Sequence, residues 1–124
     1  MENGLPGRRG ALRPDAGGTY DIPSATHELT LPGGPEGFVY VAAGSPLFTV
    51  NSMLVSEWSA NGIATYEIDD AGNPRVASRR NFITGLDGAE GAYRDPATGD
   101  FFFSTWGQAA DRLVVVRGFT PIIE

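Results

Sequence analysis

Apolar residues in this chain come in short runs of about five, the length of a strand, and clusters of glycine, proline, asparagine and aspartate separate them. Residues 38–42 (FVYVA), 53–58 (MLVSEW) and 63–68 (IATYEI) predict three strands, and residues 75–83 (RVASRRNFI) a fourth and more polar one. In the third run Ala64, Tyr66 and Ile68 take one face and Thr65 and Glu67 the other, the period-two pattern of a half-buried strand. The second run is nearly continuous, as expected of a strand covered on both sides, and the polar fourth run reads as an edge near solvent. No stretch of useful length carries helical periodicity.

The connections read as turns. Asn61-Gly62 suits the positive backbone angles of a tight hairpin. Residues 69–74 (DDAGNP) and 95–100 (DPATGD) combine side-chain acceptors, glycine and a φ-fixing proline, and predict further hairpin turns. After residue 84 the pattern starts again, with runs at 92–94, 101–103 and 113–116. Both copies open on Gly-x-Glu-Gly, at Glu36-Gly37 and Glu90-Gly91, and both close their second strand on tryptophan, Trp58 and Trp106. The glutamates lie 54 residues apart and the tryptophans 48, so the first hairpin loop is six residues longer in the first copy.

A unit of about 50 residues holding four short strands is the repeat of a β-propeller blade. The fold class expected is therefore all-β: an incomplete β-propeller, with one full four-stranded blade and a three-strand partial one. Residues 1–24 read as a flexible lead-in rich in Gly, Pro and Arg, residues 25–119 as the blades, and residues 120–124 as a tail. Within that span, residues 25–31 predict one further isolated strand, stopped by the run Pro32-Gly33-Gly34-Pro35.

Composition removes more functions than it suggests. The chain of 124 residues is long enough for one domain with a sizeable core. A net charge of −6 disfavours nonspecific nucleic-acid binding and docking on anionic lipid. No run approaches the roughly 18 apolar residues of a membrane span. There is no cysteine, and every basic residue is arginine, so thiolate chemistry, Schiff bases, Ser–Lys dyads and a lysine phosphate loop are absent. His27 is the single histidine.

The Glu-Gly pairs at 36–37 and 90–91 and the Asp-Pro-x-Thr-Gly-Asp turn at 95–100 resemble the NHL/gluconolactonase-like group of β-propellers. Residues 81–107 look like the last blades of exported bacterial propellers of unassigned function. The resemblance covers about residues 29–119 and identifies a blade better than an activity, since one fold hosts many functions. It implies a carboxyl-terminal piece of a larger propeller or a truncated reading frame, extracellular or periplasmic if it derives from a longer exported precursor. It also implies that a glutamate at the Glu-Gly position can serve as a metal ligand, which makes Glu36 and Glu90 candidate calcium ligands.

Calcium takes six to eight oxygens, more than two blades supply, and the competing reading has each carboxylate accepting backbone N–H groups at a strand start. Trp58 and Trp106 are candidates for stacking on a ligand, against the alternative that they pack blade on blade. Arg75, Arg79 and Arg80 read as a solvated outer edge that discourages strand addition. The function expected is a noncatalytic scaffold or binding module without a cofactor, its partners being the missing blades or other copies of itself. The alternative is part of a metal-dependent gluconolactonase-like hydrolase.

Overall fold

A computed structural model describes residues 8–107 and 111–119; the expected tail, 120–124, and the start of the lead-in lie outside the described residues. The described residues are all-β, with three antiparallel sheets. The chain divides into two units, residues 1–31 and 32–124.

In the first unit, β1 (Arg8–Pro14) pairs with β2 (Tyr20–His27), running from Arg8 opposite His27 to Pro14 opposite Tyr20. Strand structure thus extends into residues that the hydrophobic pattern assigned to an unpatterned lead-in. It ends at His27, so the strand expected over 25–31 is displaced toward the amino terminus. The turn explains the hairpin. The Asp15 carboxylate accepts the backbone N–H groups of Gly17 and Thr19 and the Thr19 hydroxyl, and Gly18 supplies a positive φ. The Thr19 hydroxyl, followed by its N–H, holds the Asp15 carboxyl below its usual range. Every residue of β2 is exposed, so no apolar alternation could have announced this strand.

The second unit carries the two repeat copies. In the first sheet, β3 (Pro35–Val41), β4 (Ser52–Glu57), β5 (Gly62–Glu67) and β6 (Arg80–Thr84) lie in sequence order. The second sheet is β7 (Ala89–Arg94), β8 (Phe101–Thr105) and β9 (Arg112–Val116), also in order, with β9 at its outer edge among the described residues. Asn61 takes a φ of 53° at the β4–β5 turn, and Asp69 and Asp95 anchor the two acidic turns through their own carboxylates.

One boundary differs from expectation. Residues 75–79 are not strand; a single 3-10 turn spans Val76–Ser78. The Ser78 hydroxyl donates to the Arg75 carbonyl and accepts the Glu67 N–H, so one side chain fills the place of a ladder partner and delays β6 to Arg80.

The packing follows from strand parity. On β4, Ser52, Leu54 and Ser56 face one way and Met53, Val55 and Glu57 the other; on β8, Phe101, Phe103 and Thr105 oppose Phe102 and Ser104. Val41, Leu54 and Ile63 form one core with Ala89, Phe101 and Phe103, closed by Phe48 and Phe119 from outside the strands. The even-numbered face of β4 therefore meets the odd-numbered face of β8. The sheets stack in the same sense, unlike face on unlike face. At the start of this interface the first strands approach closely: a Cβ at Gly37 would sit 2.6 Å from the Glu90 carbonyl oxygen, so glycine is required there.

Candidate functional site

Both Gly-x-Glu-Gly segments do the same structural work. The Trp58 N–H donates to the Gly34 carbonyl and the Trp106 N–H to the Gly88 carbonyl, each at 2.8 Å. The Trp58 indole Nε1 then crosses to the second sheet and donates to the Trp106 carbonyl at 3.0 Å. Gly88 lies beneath this crossing with φ near 62°, where a Cβ would be 1.9 Å from the Trp106 oxygen and 2.7 Å from the Trp58 nitrogen. The Ser56 hydroxyl makes a second crossing, to the Gly91 carbonyl at 3.2 Å. The two tryptophans, equivalent in sequence, thus differ in setting: Trp58 is half-buried and joins the sheets, while Trp106 is exposed.

Glu36 is exposed near the start of β3, and Glu90 is half-buried near the start of β7. Strands β3 and β7 pack side by side, so the structure brings the two candidate ligands into neighbouring strands. Among the described residues, no group of three or more His, Asp or Glu side chains converges as a cation site. The acidic turns turn their carboxylates inward onto their own backbone: Asp69 accepts from Ala71 and Asn73, and Asp95 from Ala97. His27 is exposed, its Nε2 3.1 Å from the Thr30 hydroxyl.

A cluster not anticipated from the sequence sits on the odd-numbered face of the first sheet. Glu57, at the end of β4, is fully buried. Its Oε1 accepts from the Tyr66 hydroxyl at 2.7 Å and from Arg79 Nε at 3.1 Å, and its Oε2 accepts from Arg79 Nη2. Arg79 is therefore a bidentate partner of a buried carboxylate and not a solvated edge residue, which corrects the sequence-based expectation. Burial first, and then the hydrogen bond to Glu57, raise the Tyr66 hydroxyl well above its usual range, so it stays protonated and remains a donor. The bond to the Glu57 carboxylate raises the Arg79 guanidinium further, keeping it cationic. The cation and the phenol both donate to the one carboxylate, so the cluster fixes the end of β4 against β5 and the segment before β6.

Tyr40, Val41, Ala42, Asn51, Ile68 and Arg94 line a recess of about 310 Å³ that is mostly apolar and widely open to solvent. It holds none of Glu36, Glu90, Trp58 or Trp106. No family model, curated protein or solved structure matches the chain. No helix among the described residues is long and apolar enough to cross a membrane.

Proposed function

We propose that the two larger sheets are successive blades of a β-propeller and that the protein acts as a noncatalytic scaffold or binding module within an exported assembly. The unlike-face stacking carries this reading. Two sheets in a sandwich commonly bury equivalent inner faces against each other, whereas repeats arranged around a ring present one face forward and receive the next repeat on the other. Here Leu54, on the even-numbered face, shares a core with Phe101 and Phe103, on the odd-numbered face. The recurring Trp-to-Gly bond and the close approach of the first strands support the same arrangement.

The competing reading, a calcium-dependent lactone hydrolase, draws on the neighbouring strands of Glu36 and Glu90. A calcium titration followed by thermal unfolding, with a lactone-hydrolysis assay alongside, separates the two. The scaffold reading predicts no calcium-dependent rise in melting temperature and no turnover. A rise that disappears in both Glu36→Gln and Glu90→Gln, accompanied by hydrolysis, would replace it.

A further inference from the structure

The even-numbered face of the second sheet repeats the chemistry by which the first sheet holds its neighbour. On the first sheet, two donors cross the interface: the Ser56 hydroxyl to a glycine carbonyl, and the Trp58 indole N–H to a tryptophan carbonyl. Ser104 and Trp106 stand at the equivalent positions of the second sheet. Ser104 Oγ accepts the Gly91 N–H, and its own hydroxyl hydrogen has no acceptor among the described residues; nor has the Trp106 indole N–H. Around them lie Tyr93, its ring near Phe102, and Leu113 and Val115 from β9; Leu113 is 66% exposed and Trp106 62%.

We propose that this face is a docking surface for a further antiparallel sheet of the same repeat, belonging to a partner. Continuity with the existing interface specifies that sheet's chemistry. It presents large apolar side chains at the two odd positions of its second strand, as Phe101 and Phe103 do. It also offers two backbone carbonyls, one within a Gly-x-Glu-Gly opening and one at the end of its second strand. A second copy of this chain does not fit the description, because both of its odd-numbered faces are already covered. In the first sheet Met53 is 0% exposed and Val55 2%, and in the second Phe101 and Phe103 are 0% exposed.

The occupant's identity rests on the blade reading, and the test separates the two. The full chain is extended by a tethered second copy of residues 85–119, which raises the local concentration of an odd-numbered face. In a control, the appended copies of Phe101 and Phe103 become serine. Acrylamide quenching of tryptophan emission, assigned by comparison with Trp106→Phe, reads coverage of the surface, and sedimentation confirms that the chains remain monomeric.

The proposal predicts that the intact extension shields Trp106 and the control does not, and that Ser104→Ala weakens the shielding. Equal quenching in both extensions overturns it. So does shielding of Trp106 by dimerisation of the unextended chain, which would make a second copy the occupant. If the core that Leu54 shares with Phe101 and Phe103 persists while Trp106 stays open, the docking inference fails alone; if that core is itself absent, the blade reading has failed.

Discussion

Strands β4 and β8 hold the same place in their sheets, and each ends one residue before a tryptophan. The sequence of β4, SMLVSE, is the more polar of the two, yet all six of its residues are buried. That of β8, FFFST, alternates between buried and half-buried. Burial here is set by what lies against a strand. Leu54 shares a core with Phe101 and Phe103 and Ser56 reaches the Gly91 carbonyl, while Phe102 and Ser104 look out on the even-numbered face of the second sheet. The contrast extends to the strand ends. Glu57 sits where the second sheet has Thr105, so the first sheet has had to neutralise a buried charge that the second never acquires.

The largest effect expected from breaking this comparison is at that charge. Arg79→Ala leaves Glu57 buried without its cation and should cost about 3–5 kcal/mol, comparable with the stability of a small domain. Urea unfolding of the variant measures it. The triple replacement Glu57→Leu, Tyr66→Phe and Arg79→Met should recover most of the loss, because it leaves neither a buried charge nor the Tyr66 hydroxyl without its acceptor.

The next effect lies at the junction of the two sheets. Gly88→Ala forces a side chain against the Trp106 carbonyl at a positive φ and should cost at least about 2 kcal/mol. Gly85→Ala, at φ near 76° but with open space around it, should cost about 1 kcal/mol. Equal losses would mean that backbone angle alone, and not the Trp58–Trp106 crossing, constrains Gly88.

A smaller pair of changes sharpens the contrast between the tryptophans. Trp58→Phe removes the bond to the Trp106 carbonyl and should cost about 1 kcal/mol. Trp106→Phe, at an exposed ring, should stay within about 0.5 kcal/mol of the parent. Denaturant midpoints compared at constant slope report both.

Much of the second unit was legible because its signals are local. Asn61-Gly62, the Asp69 and Asp95 turns and the Gly-x-Glu-Gly openings each fix a few neighbouring residues, and the strands between them follow by length. The first hairpin escaped notice for the opposite reason: with every residue of β2 exposed, its pattern carries no alternation to read, and the signal lay in Asp15 and Gly18 alone. The Arg79–Glu57 pair spans 22 residues and two different strands' surroundings, and neither residue's neighbours in sequence point to the other. Glu57 at the end of an apolar run was the one clue, since a carboxylate there must find a partner if the run is covered. The tryptophans were recognised as equivalent, but parity alone does not say which copy has a sheet beside it.

The central claim is that the sheets stack unlike face on unlike face, and nuclear Overhauser contacts between methyl groups and phenylalanine rings test it most directly. The account predicts contacts from the Leu54 and Ile63 methyls to the rings of Phe101 and Phe103, and none from Leu54 to Phe102. Contacts from Met53 or Val55 to Phe101 and Phe103 instead would place like face against like face, and would contradict it.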